Sequence, residues 1–199
     1  MEDDRLFAAW LLLVTTGMRR GEVLALRWAD VDLDARRLAI RRTTVIVGYE
    51  PEQSDPKTKA GRRVVALDER TVSALRNHRD DQERERKAAG PLWHRTGLVF
   101  AREDGSAIHP QRFSKWFTRH ARRAGLPPIR LHDVRHSYAT AALSAGVPAK
   151  VVSSRLGHAS VGITLDTYSH VLPSFDEQAA TTVADHIFGP PQEGSRGDP

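Results

Sequence analysis

The sequence contains no cysteine among its 199 residues, which excludes disulfides and thiolate-held metals. It also lacks a long hydrophobic run. The most apolar stretch, Phe7 to Val14, falls far short of the ~20 residues needed to span a bilayer. That stretch follows Glu2, Asp3 and Asp4, where an export signal would carry positive charge. No GxxxxGK[ST] loop is present to cradle a nucleotide triphosphate. Tyrosine is scarce as well, with Tyr49, Tyr138 and Tyr168 the full set. These absences point to a soluble, intracellular, non-membrane protein that works without redox cysteines or ATP. With 40% apolar residues the chain can build a core, and its length suits one domain.

Positive charge is present, and it is concentrated. The net charge is +5, but from Pro173 onward five acids face one arginine, so the remainder carries +9. Between Pro110 and Arg155 nine basic residues face Asp133 alone. A field of one sign over so short a stretch suits a polyanion, of which nucleic acid is the usual example.

The apolar pattern predicts a helix over Asp4–Val14, broken at Thr15-Thr16-Gly17, and a short second helix starting near Gly21. Leu38–Val47 and Arg62–Leu67 are rich in Ile, Val and Thr, as strands are. Gly48–Gly61 between them reads as a loop or long hairpin connection. Asp68 is placed to cap a helix running to Ala89, and Gly90-Pro91 ends it. A short strand over Leu98–Phe100 follows. The rest reads as helices: Gln111–Ala124, Leu131–Ala145, Pro148–Leu156, Ser160–Ser169 and Ser174–Phe188, then a disordered end over 189–199. On the first of these, Arg112, Lys115, Arg119 and Arg122 form a cationic stripe beside the apolar one, a candidate DNA-contact surface.

Six polar residues stand out from this background: Arg19 in TTGMRRGEV, Lys57 in SDPKTKAGRRVVAL, His132 and Arg135 in LHDVRHSYAT, His158 in SRLGHAS and Tyr168 in TLDTYSH. Together they suit one phosphate. A tyrosine ionises near pH 10, so it needs cations or a base beside it to attack phosphorus. Arginine forks two donors onto phosphate in a way lysine cannot copy. His132 and Arg135 are three apart on one helix, so they share a face. Arg19 sits at a helix start, where backbone donors also face an anion. His132 and His136 also have the i, i+4 spacing of a metal pair, but HExxH's glutamate and a third ligand are missing.

Taken in order, these motifs resemble the catalytic domain of the tyrosine recombinases, the phage integrase family, from about Leu6 to His170. The resemblance implies an α+β fold: a mainly helical catalytic domain with a small antiparallel three-stranded sheet at one edge. It implies site-specific DNA recombination through a covalent 3′-phosphotyrosine on Tyr168, with double-stranded DNA as substrate and no cofactor or metal. Arg19, His132, Arg135 and His158 would hold the phosphate, and His132 could assist removal of the tyrosine proton. Lys57 would protonate the leaving oxygen, with Lys59 in reserve. Glu22 matches an acidic position that orients the arginine or a histidine, and it equally suits a plain helix-start acid. The resemblance further implies a catalytic domain over 1–172, a helix over 173–188 that docks on a neighbouring protomer, and an N-terminal clamp domain outside this sequence. The full-length protein would form a homo-tetramer on DNA in a bacterial cytoplasm, and the domain alone would be a monomer. The rival readings are a type IB topoisomerase, a DNA-binding module without catalysis, and a plain helical interaction domain.

Overall fold

Helix α1 (Phe7–Thr16) carries no charged residue and is enclosed on most of its circumference, with Ala8, Ala9, Trp10, Leu12 and Leu13 buried. It belongs to a computed structural model that describes residues 4–55, 59–168 and 173–189. Gly17 ends α1 in the left-handed conformation, φ 64°. A side chain there would lie 2.5 Å from the Tyr138 ring, so this turn demands glycine twice over, for conformation and for space.

Helix α2 (Arg20–Ala25) follows, and then five strands: β1 (Val31–Asp32), β2 (Arg37–Ile40), β3 (Thr43–Val47), β4 (Glu50–Ser54) and β5 (Arg63–Ala66). The order β1-β2-β5 makes the expected three-stranded antiparallel sheet, with Leu38 opposite Val65. The single strand expected over Leu38–Val47 is instead two. The chain leaves the sheet at Arg41 and Arg42, which both pair with Asp30, at 3.3 and 3.2 Å. Beyond that point β3, the end of the same stretch, forms a separate hairpin with β4, which lies inside the stretch expected as a loop or long hairpin connection, with Val45 opposite Glu52. The segment EPEQS has no strand pattern of its own, so pairing with β3 makes it a strand.

Helix α3 (Glu69–Ala89) starts where expected, with Asp68 accepting from the Thr71 backbone N–H at 3.0 Å and the Thr71 hydroxyl at 2.6 Å. The Leu98–Phe100 segment makes only an isolated bridge to Arg27 rather than a strand. It is fully enclosed, and α3 meets its polar backbone: His78 and Gln82 both bond the Val99 carbonyl, at 2.8 and 2.9 Å.

Helices α4 (Pro110–Arg123), α5 (Leu131–Ser144), α6 (Ala149–Leu156), α7 (Val161–Thr167) and α8 (Pro173–Phe188) complete the fold. Among the described residues no helix is long and apolar enough to cross a membrane. The buried side chains fall into two clusters. The larger reaches from Leu6 to Val134 and joins α1, the three-stranded sheet, α3 and α4, with Trp10 stacked on Phe113 at 4.4 Å. The smaller holds Ala139, Leu143, Val152, Leu156 and Tyr168, from α5, α6 and the end of α7. The site lies where the two meet.

Candidate active site

Helix α6 ends at Leu156, and Gly157 turns the chain in the left-handed conformation, φ 68°. A helix end leaves carbonyls without intrahelical partners and carries partial negative charge. Three arginines take up those carbonyls. Arg63 Nε donates to the Arg155 carbonyl at 2.6 Å, and Arg135 Nη2 to that of Leu156 at 2.7 Å. Arg19 donates to Leu156 and Gly157, each at 3.4 Å. Arg135 also donates from Nη1 to the Gly17 carbonyl at 2.7 Å, so it joins the end of α1 to the end of α6. A Cβ at position 157 would lie 2.7 Å from Arg63 Nη1 and 2.9 Å from the Ala60 carbonyl. Gly157→Ala is therefore expected to cost about 2 kcal/mol and to lower Tm by roughly 4–8 °C in a thermal melt.

Beneath the arginines lies Glu22, buried on α2. Arg63 forks it, Nη1 to Oε1 at 3.0 Å and Nη2 to Oε2 at 2.9 Å, and Arg19 Nη1 reaches Oε1 at 3.0 Å. The Arg19 backbone N–H adds a fourth bond at 2.8 Å. Burial pushes the carboxyl up, but Arg63 and Arg19 outweigh it and hold Glu22 below the ordinary carboxylate value. A lowered folded value means the contribution is present above the ordinary value and is lost as pH falls through the folded one. Glu22→Gln is expected to lose about 3–5 kcal/mol in urea denaturation at pH 7. The gap to the parent should narrow steadily as the titration moves into acid.

Arg135 is buried, and burial together with Arg19 lowers it to about 10, so it stays a cation at neutral pH. His158 follows Gly157, and its Nδ1 lies 2.8 Å from the Thr164 hydroxyl. Burial first, then Arg135 and Arg19, pushes His158 down to about 4, so its imidazole is neutral at pH 7. His132 is lowered by burial and by His136, against whose ring it stands edge-on at 5.0 Å. Tyr168 caps α7 and is only 3% exposed. Burial raises it above the ordinary tyrosine value, with Arg135 opposing.

The structure thus brings Arg19, Glu22, Arg135, His158 and Tyr168 to one place, with His132 on the adjoining turn of α5. Lys57 lies outside the described residues, as does His170. Three partners were not read from the sequence: Arg63, the buried fork on Glu22; Thr164, the partner of His158; and His136, whose Nδ1 lies 2.9 Å from the Tyr168 hydroxyl. His132 and His136 have no third ligand: among the described residues no group of three or more His, Cys, Asp or Glu could hold a metal ion. The stripe on α4 is exposed at Arg112, Lys115, Arg119 and Arg122. Arg112 and Arg119 line a cleft of about 640 Å³ that also holds Asp4, Arg102 and Glu103. Arg20 fastens α4 beside the site by donating to the Ser114 hydroxyl at 2.8 Å.

Residues 2–174 match the model of the phage integrase family. Over 197 residues the chain is 34% identical to a tyrosine recombinase XerC-like protein of Caldanaerobacter subterraneus subsp. tengcongensis, covering 93% of this chain and 50% of the relative. It is 28% identical over 185 residues to the ICEBs1 integrase of Bacillus subtilis, again covering half of that protein and 92% of this one. The chain therefore spans about half the length of these curated relatives. Among solved structures, the XerA recombinase superposes with a TM-score of 0.69 at 23% identity, covering 88% of this chain and 56% of that one. The Tn1549 transposon integrase in complex with transposon right end DNA gives 0.72 at 22% identity, covering 88% and 59%. These two likenesses concern the fold.

Proposed function

Because this chain belongs to the phage integrase family, we propose that it is the catalytic domain of a site-specific recombinase that cuts and rejoins double-stranded DNA through Tyr168. The observation that carries this reading is the crowding of Arg19, Arg63 and Arg135 around one buried carboxylate, beside a buried tyrosine. Three guanidiniums against one carboxylate leave the site cationic and short of an anion. Neither a relaxing topoisomerase nor a non-catalytic binding module is favoured by relatives that are recombinases and integrases.

In this mechanism Tyr168 attacks a backbone phosphate in line. Arg135 commits two donors to carbonyls, which leaves three of its five for the non-bridging oxygens. Arg19 joins it from the other side, its long bonds to the 156–157 carbonyls being readily exchanged for shorter ones to phosphate. Both arginines then stabilise the charge of the five-coordinate transition state. With the Thr164 hydroxyl as donor to His158 Nδ1, the ring proton sits on Nε2 and serves the phosphate. His132 adds a second imidazole. Lys57 protonates the departing 5′ oxygen, leaving a 3′-phosphotyrosine and a free 5′ hydroxyl. One phosphodiester is exchanged for another phosphate ester, so no nucleotide is consumed.

The stripe on α4 tracks the duplex. Lys115→Ala and Arg122→Ala are each expected to weaken duplex binding regardless of sequence. Each should also reduce the slope of log K against log salt by about 0.9 in fluorescence anisotropy. Residues 173–188 serve protomer exchange within a homo-tetramer on DNA. In support, α8 leaves Val183, Ile187 and Phe188 exposed. An apolar groove of about 740 Å³ between α1, α4 and α5, lined by Val14, Phe117, Leu126 and Ala142 among others, is open for such a helix. The direct test is incubation with nicked duplexes of randomised core, followed by denaturing electrophoresis. A protein–DNA adduct that survives denaturation supports covalent catalysis, and its absence from every duplex counts against it.

A further inference from the structure

The Tyr168 hydroxyl is held by a histidine other than those assigned to the phosphate. Its hydrogen-bond partner is His136 Nδ1 at 2.9 Å, with the two rings 5.9 Å apart. His158 Nδ1 is engaged instead by Thr164, at 2.8 Å. His132 meets His136 edge-on and has no bond to the tyrosine among the described residues. Both side chains are packed in place. Tyr168 is packed among Ala139, Leu143, Val152 and Leu156, with its backbone N–H on the Thr164 carbonyl at 3.1 Å. His136 is partly buried on α5, directly after Arg135.

A base must stand within about 2.6–3.2 Å of the proton it takes, and His136 meets that distance. The need for one is clear, because burial makes the free phenolate scarcer, and among the described residues Arg135 alone opposes it. We propose that His136 is a catalytic residue that orients the Tyr168 hydroxyl and accepts its proton as the tyrosine oxygen attacks phosphorus. This rests on the recombinase reading above. As the tyrosine O–P bond forms, the phenolic proton moves to His136 Nδ1 and the ring becomes an imidazolium. The P–O5′ bond breaks, and the 5′ oxygen leaves with the proton from Lys57. On rejoining, the 5′ hydroxyl returns its proton to the neutral lysine and attacks the phosphotyrosine. The imidazolium then gives its proton back to the departing phenolate, so no proton or electron is left over. Neutral His136 accepts at Nδ1 and so carries its own proton on Nε2.

The test has two arms. In the free protein, nitrogen NMR of His136 is expected to show an Nδ1 acceptor resonance that moves in Tyr168→Phe. In single-turnover adduct formation on nicked duplexes of randomised core, His136→Gln is expected to be about 100-fold slower with duplex affinity unchanged. Gln keeps the size and a polar contact, so the fold is retained. His136→Ala should be slower still and partly restored by added imidazole, whereas His132→Ala should not respond. An unmoved Nδ1 resonance overturns the proposal. With an active parent, a His136→Gln rate close to that of the parent, or no imidazole rescue, also overturns it and leaves the recombinase reading standing. A parent that forms no adduct removes both.

Discussion

Tyr168→Phe is expected to form no covalent adduct with nicked DNA, a loss on the order of 10⁴-fold or more, while it folds and binds duplex as the parent does. The substitution deletes one oxygen. The ring stays among Ala139, Leu143, Val152 and Leu156, so the smaller cluster keeps its apolar contacts. The bond to His136 is lost at a cost of about 1 kcal/mol, which a urea titration resolves. No other tyrosine can substitute. Tyr49 is 93% exposed at the tip of the β3–β4 hairpin. The Tyr138 hydroxyl accepts from Arg155 Nε at 2.6 Å and its ring packs against Gly17. An adduct that persists in the variant would place the nucleophile elsewhere and remove the basis of the mechanism.

The second large effect is expected from Arg135→Lys. Charge is kept, but the fork is not, and an ammonium cannot bond the Gly17 and Leu156 carbonyls together while also facing a phosphate. The rate of adduct formation should fall on the order of 10³-fold, the scale of a lost transition-state donor. Duplex affinity should change far less, because the arginine is one phosphate contact among many. Stability should drop by about 2–4 kcal/mol, since two buried carbonyls lose a charged donor. Rate, affinity and urea midpoint measured on one preparation separate the two roles. A variant that loses stability but keeps its rate would make Arg135 a strut and not a phosphate ligand.

Much of this site was legible because its residues sit at punctuated places. Arg19 follows the Thr-Thr-Gly break, His158 follows the glycine that ends α6, and Tyr168 ends the next helix. Such positions are set by local backbone rules, so they survive reading in one dimension. Arg63 was not legible, since it stands in a run with Arg62 and looks the same. In space the two differ: Arg62 pairs with Asp55 at the surface, while Arg63 is buried on Glu22. The period of two along β5 sets Val64, 65% exposed, on the other face from Val65, fully buried, but with valine at both positions the sequence does not mark which face is inside. Arg63 lies on the Val65 face, so the fold puts a cation inside. His136 was read only as half of a metal pair, because the i+4 spacing to His132 hid its partner 32 residues away. The β4 strand could not be found from EPEQS, whose order comes from β3 across the hairpin.

The two clusters differ in how they are drawn from the chain. The smaller one comes from a single run, Tyr138 to Tyr168, while the larger ties Leu6 to Val134. Short-range contacts form at little loop-closure cost, so the smaller part can assemble separately from the larger. The first part holds Arg19, Glu22 and Arg63. The second holds His158 and Tyr168, and α5 carries Arg135 and His136 between them. A copy that is truncated, nicked or only half folded therefore has either part of a phosphate clamp or a tyrosine, and never a working pair. On the proposed chemistry, in which a DNA strand is cut, dividing the site in this way leaves an incomplete molecule unable to make the cut.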